Sequence, residues 1–267
     1  MDQVVKVGVF DSGVGGLTVA TKIFHRLPWV SVIYFGDTAH VPYGNKTVDQ
    51  LQSYADQIAS FFVEQGVVGI LAACNTSSSV SLDFLQEKYS QLPVIGVVEP
   101  GVKDAIALTR NANIGLIATE ATVKSKAHQL VAAKHSEQVN IFAQSCPKYV
   151  PLVEAGEVRS QAAKEATEEY LSKLMEHNID TLILGCTHYP FLAEVISDYV
   201  GPNVKLVDPA KSTVDMLAQV LKDKGYHTAN RIEHSFYVSG DNLSFKEVGA
   251  RLVGAQYLGE ISHVDLD

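Results

Sequence analysis

Short runs of β-branched and other apolar residues alternate with longer segments whose apolar positions recur every three or four residues. The short runs 5–10, 31–35, 67–73 and 94–98 have the length and composition of strands buried on both faces. The intervening stretches 47–65 and 79–90 carry the stripe that a helix needs to cover a sheet. Strand-helix alternation of this kind predicts a parallel α/β sheet, with ligands bound by the loops beyond the carboxyl ends of the strands.

The pattern then repeats. Val7-Gly8-Val9-Phe10 matches Ile114-Gly115-Leu116-Ile117, and Ile70-Leu71-Ala72-Ala73-Cys74-Asn75-Thr76 matches Leu182-Ile183-Leu184-Gly185-Cys186-Thr187. Val97-Val98-Glu99-Pro100 matches Leu206-Val207-Asp208-Pro209. Parallel α/β folds share strand-end patterns generically, but the three matches keep their order and nearly their register, which favours a tandem duplication over coincidence. The expected architecture is therefore two similar parallel-sheet α/β domains, 1–98 plus 208–267 and 99–207, related by pseudo-twofold symmetry with the site in the cleft between them. The turns Glu99-Pro100-Gly101 and Asp208-Pro209-Ala210 are the expected crossing points. After them, 235–239, the turn Gly240-Asp241-Asn242 and a final helix return to the first domain.

Composition narrows the function. The 267 residues are 46% hydrophobic, enough for a large core. A formal net charge of −9 without a long basic run argues against nucleic acid or an anionic membrane as partner, leaving a small molecule. Met1-Asp2-Gln3-Val4-Val5-Lys6 lacks the features of a signal peptide, and no apolar run has transmembrane length, so a soluble, cytoplasmic protein is expected. Three cysteines suit a reducing compartment better than a disulfide framework.

Two of those cysteines carry the candidate chemistry. Cys74 and Cys186 each follow an apolar strand and precede polar residues, where a helix N-terminus would favour the thiolate. One such cysteine is commonly just a small buried apolar residue; two at equivalent repeat positions point to chemistry. A pair of thiols from facing domains suits proton removal from one face of a carbon and return to the other. Donors for substrate carboxylates are available from Ser12, Asn75, Thr76 and Thr187. Asp11 can bind an ammonium, assist proton transfer or cap a helix, and His188 can handle a proton beside Cys186 or be structural. The glycines of Asp11-Ser12-Gly13-Val14-Gly15-Gly16 allow close approach of an anion, but their spacing is not that of a nucleotide fingerprint. Metal-ligand spacing is absent around Cys186-Thr187-His188, and no lysine stands beside either cysteine motif to hold pyridoxal phosphate. Cys146, before Pro147, is read as structural. Residues 36–44 form a polar loop in which Tyr43 either meets a ligand or packs.

The segments 9–19, Ala73-Cys74-Asn75-Thr76 and Gly185-Cys186-Thr187-His188-Tyr189-Pro190, with the loop 36–44 and the segment 147–154, closely resemble the signatures of bacterial glutamate racemases. The resemblance spans nearly the whole chain. It implies a cofactor-independent enzyme that interconverts L-glutamate and D-glutamate for peptidoglycan synthesis, usually as a homodimer. By motif, Cys74 and Cys186 match the two catalytic acid/bases, with Asp11 and His188 supporting proton transfer. Asp11, Ser12, Tyr43, Gly44, Asn75, Thr76, Thr187 and His188 match substrate-contacting positions, and Glu154 an accessory one. Two departures stand out: His40 replaces a frequent arginine and Ser77 a frequent alanine, either of which can alter loop behaviour. An aspartate racemase, a two-lobed amino-acid binding protein and a thiol oxidoreductase remain as alternatives.

Overall fold

The computed structural model describes residues 4–228 and 231–266; the reading of Met1-Asp2-Gln3 lies outside them. The chain divides into two compact units, 1–97 with 210–267 and 98–209. The crossings fall at 97–98 and 209–210, against the expected 98–99 and 207–208.

In chain order the strands are β1 (Lys6–Asp11), β2 (Ser31–Gly36), β3 (Gly69–Ala72), β4 (Val94–Gly96), β5 (Asn113–Ala118), β6 (Asn140–Ser145), β7 (Thr181–Gly185), β8 (Lys205–Val207), β9 (Ser235–Val238) and β10 (Ile261–His263). The first unit is a six-stranded sheet of order β10-β9-β2-β1-β3-β4, the second a four-stranded sheet of order β6-β5-β7-β8. Every pairing is parallel. Four consecutive strands thus take the same second-first-third-fourth order in each unit, as the sequence repeat requires. The first unit adds β9 and β10 beyond β2.

Helices cover both faces of each sheet, which is why β2 and β7 are buried at every residue. In the first unit the helices Leu17–Arg26 and Ala210–Asp223 pack Leu17, Ile23, Val214 and Leu217 against Val7, Val9 and Val32. On the other face, the helix Val48–Glu64 sets Ala55, Ile58 and Phe62 against Phe10, Ile33 and Ile70. Its start is written in the sequence as a capping box: the Thr47 hydroxyl accepts from the Gln50 amide while the Gln50 side chain accepts from the Thr47 amide. In the second unit, Val98, Val102 and Ala105 of the helix Val98–Leu108 meet Ile114, Leu116 and Ile183. No helix among the described residues is long and apolar enough to cross a membrane.

Three local expectations are corrected. Glu99-Pro100-Gly101 is no turn but the opening of the helix Val98–Leu108, where a proline's missing N–H would have had no helical acceptor in any case. The single helix expected over 79–90 is instead two helices, Asn75–Val80 and Leu82–Lys88, meeting at Ser81, the first of them starting at Cys74, where the sequence places a helix N-terminus. Beyond Cys186, by contrast, comes a turn and then the 3-10 helix Tyr189–Leu192, and α-helix begins only at Ala193.

Candidate active site

The candidate residues of the first unit gather at the carboxyl ends of β1 and β3. Asp11 ends β1 and is fully buried; its Oδ1 accepts the Gly13 amide at 2.9 Å, so the side chain holds the loop rather than capping a helix. Gly16 begins the helix Leu17–Arg26, and a Cβ there would lie 2.5 Å from the Asp11 Cβ and 2.8 Å from the Tyr34 hydroxyl. A side chain at this position would therefore collide with Asp11. Tyr34, which the sequence did not single out, donates from its hydroxyl to the Gly13 carbonyl at 2.7 Å. Burial, with the charges of Asp11 and Cys74 nearby, pushes its phenol well above its ordinary pKa.

Cys74 is 6% exposed and stands at the N-cap of the helix Asn75–Val80, with Sγ 4.0 Å from the Ser12 hydroxyl. Asn75 and Thr76, in the first turn of that helix, are buried beside it. Tyr43 opens the 3-10 helix Tyr43–Asn45, which also holds Gly44, and packs its ring with Cys74 and Leu51. Its hydroxyl is committed: it donates to the buried Asp37 carboxylate at 2.5 Å. Burial and the Asp37 charge together raise the Tyr43 pKa well above its ordinary value. Tyr43 can therefore offer a ligand its ring or backbone, but not that proton. His40 also turns to Asp37, at 2.8 Å through Nδ1, and stacks on Tyr54 at 3.9 Å.

Ser77 belongs to the helix, not to a loop, and is 0% exposed with no hydrogen-bond partner for Oγ among the described residues. A hydroxyl stripped of water without a replacement partner is a net cost. Ser77→Ala is expected to raise the stability of the protein by about 1 kcal/mol, read from urea unfolding; a loss of stability would show that the hydroxyl is satisfied in solution.

In the second unit the candidates follow β7. Cys186 is 7% exposed, Thr187 and His188 are buried, and the turn closes through the Tyr189 amide on the Cys186 carbonyl. His188 Nδ1 lies 3.9 Å from the Cys186 sulfur, and its Nε2 lies 3.1 Å from Oε1 of Glu154, at the end of the helix Tyr149–Glu154. A carboxylate only accepts, so Nε2 carries a proton towards Glu154, and in the neutral ring Nδ1 is the acceptor that faces the thiol. The arrangement can take a proton from Cys186 and stabilise the resulting ion pair.

Cys146 sits behind this group with its sulfur 3.7 Å from the Gln144 carbonyl. Burial, and next the charge of Cys186, raises its pKa, so Cys146 stays a neutral thiol. Its carbonyl accepts the hydroxyl of the fully buried Tyr189 at 3.1 Å. All three cysteines are thiols rather than disulfides. Among the described residues, no group of three or more His, Cys, Asp and Glu side chains is placed to hold a metal ion.

The family model described as Asp/Glu/Hydantoin racemase matches residues 21–217. The chain is 46% identical to a glutamate racemase of Desulforudis audaxviator over 258 residues, 94% of each chain. Its fold matches the crystal structure of glutamate racemase isoform RacE1 from Bacillus anthracis with a TM-score of 0.92 at 34% identity, covering 100% of this chain and 98% of that one. It also matches glutamate racemase from Francisella tularensis in complex with D-glutamate, with a TM-score of 0.91 at 37% identity and 98% coverage of both chains.

Proposed function

The chain belongs to the Asp/Glu/hydantoin racemase family, and on that premise we propose that it interconverts L-glutamate and D-glutamate by two-base proton transfer between Cys74 and Cys186, without a cofactor. The observation that carries the mechanism is the equivalence of the two thiols. Each is nearly buried, each lies just beyond the third strand of its unit, and each has a polar side chain within 4.0 Å of its sulfur.

One cysteine begins as thiolate and the other as thiol. The thiolate removes the Cα proton, the electron pair of the broken C–H bond delocalises into the α-carboxylate, and the second thiol protonates the planar carbon from its other face. The protonation states of the two cysteines are then exchanged, and the reverse reaction starts from that state. A single arrangement thereby serves both enantiomers. Glu154 orients His188, which takes and returns the Cys186 proton; Asp11 assists at Cys74. Ser12, the Tyr43-Gly44 segment, Asn75, Thr76 and Thr187 hold the ammonium and the carboxylates. The choice of glutamate is supported by the names of the relatives, whose similarity runs along almost the whole chain. The same reading makes the enzyme a cytoplasmic homodimer supplying D-glutamate for peptidoglycan.

The test is incubation of the purified protein with L-glutamate in D2O, with no added cofactor, followed by circular dichroism and by NMR of the Cα proton. Loss of optical activity together with deuterium at Cα is expected. Tight binding of an amino acid with neither change would instead identify a binding protein built on this fold.

A further inference from the structure

The loop that carries Tyr43 is tied down by a residue that neither the motifs nor the two thiols bring to attention. Asp37, 2% exposed, accepts the Tyr43 hydroxyl on Oδ2 and the Ser239 hydroxyl on Oδ1, the latter at 2.6 Å. Ser239 follows β9 and is more than two hundred positions away in the chain. The same Ser239 Oγ accepts the Ala39 amide at 3.0 Å, and its own amide donates to the Gly36 carbonyl at 3.1 Å. Next to it, the Gly240 amide donates to the Thr38 hydroxyl at 3.0 Å, an approach so close that a Cβ on Gly240 would lie 2.8 Å from that oxygen. Residues 36–39 are thus clamped, residue by residue, to the 239–240 turn. The family model's match ends at residue 217, before this turn.

We propose that Ser239 is a positioning residue for the Cys74 half of the site: acting through Asp37, it fixes the Tyr43 ring against the Cys74 thiol. This rests on the racemase reading above. The physical basis is that Asp37 is a buried carboxylate whose acceptor positions are filled by donors from both sides, Tyr43 and His40 from the loop and Ser239 from the far segment. A buried carboxylate with a full set of donors has one orientation, and it transmits that orientation to the groups it binds. Without the Ser239 hydroxyl, Asp37 Oδ1 keeps only His40 of its two side-chain donors, and the loop loses the acceptor for the Ala39 amide. A cavity of about 60 Å³ lined by Asp37, His40, Tyr54, Ser239 and Asp265 adjoins the clamp. Water entering there replaces part of what is lost, so the effect is a misplacement of Tyr43 rather than collapse of the loop.

The experiment uses the full chain with Ser239→Ala, the hydroxyl-retaining Ser239→Thr, Tyr43→Phe, and the double variant. Three quantities are read: kcat and KM for glutamate, the rates at which iodoacetamide alkylates Cys74 and Cys186 separately by peptide mass spectrometry, and the melting temperature. Ser239→Ala is expected to lower kcat/KM about tenfold and to change the alkylation rate of Cys74 severalfold while that of Cys186 stays at the wild-type value. Ser239→Thr restores both. Because Ser239 and Tyr43 act through one carboxylate, the double variant loses less than the product of the two single losses. Wild-type kinetics and alkylation in Ser239→Ala overturn the proposal, as does an equal change at both cysteines accompanied by a large fall in melting temperature, which is general loosening. If the wild-type protein does not racemise glutamate at all, the functional reading fails, and the selective change at Cys74 still decides whether the clamp positions that thiol.

Discussion

Replacing either Cys74 or Cys186 with serine is expected to lower glutamate racemisation by about 10³- to 10⁴-fold while leaving the fold in place. Serine is nearly the same size, so the 6% and 7% exposed sites lose little packing. What they lose is acidity. A hydroxyl is far too weak an acid to stand as its anion near neutral pH, so the variant has no base on one side of the substrate and a poor acid when the direction is reversed. Both directions fail in both variants, because every turnover uses both groups. The Cα exchange experiment in D2O separates the two sides. Any exchange that survives in Cys74→Ser must be confined to one enantiomer, and in Cys186→Ser to the other, since the remaining thiol addresses a single face. A variant that racemises at the wild-type rate, or one that exchanges both enantiomers equally, removes its cysteine from the mechanism without touching the family assignment.

The sheet cores are legible in the sequence because parallel strands buried on both faces have to be continuous apolar runs, and a repeat of such runs forces a repeat of strand order. What is not legible has no periodicity to reveal it. The strand Ile261–His263 is three residues long with two exposed, too short to alternate. Pro100 reads as a turn because proline punctuates most chains, yet the first turn of a helix is the helical position that tolerates it. The helix N-terminus that the sequence places at Cys74 is present even though Asn75-Thr76-Ser77-Ser78-Ser79 has little intrinsic helical preference, because burial in the fold overrides it.

The site shows the same division. Cys74, Asn75, Cys186 and His188 are local in sequence and announce themselves. Glu154 reaches His188 across 34 residues and is visible only through family resemblance. Tyr34, Asp37 and Ser239 act through contacts fixed by the order of β9, β2 and β1 in the sheet, and no spacing along the chain encodes that order.

His128 gives the largest expected effect on stability outside the site. It lies on the buried face of the helix Ala127–His135 at 0% exposure, and neither ring nitrogen has a hydrogen-bond partner among the described residues. Burial alone disfavours the charged imidazolium and lowers its pKa from 6.5 to about 4. Well above pH 6.5 the ring is neutral in both folded and unfolded chains and contributes no pH dependence. As the pH falls from 6.5 towards 4, the unfolded chain takes up a proton that the folded one refuses, so stability is lost steadily, and below 4 the loss levels off. Across that window the loss amounts to about 3 kcal/mol. His234, half-buried and also lowered, adds to the same window, so the contribution of His128 is isolated by subtraction. Urea unfolding of wild type and His128→Phe between pH 7 and pH 5 is expected to show a steeper acid loss in the wild type, since phenylalanine fills the space without a titrating ring. NMR titration of the ring proton on Cε1 supplies the independent check. A ring that titrates near 6.5, or equal acid slopes in the two proteins, would mean that water or a polar group reaches His128 in solution, and that the interior of the second unit is wetter than its packing shows.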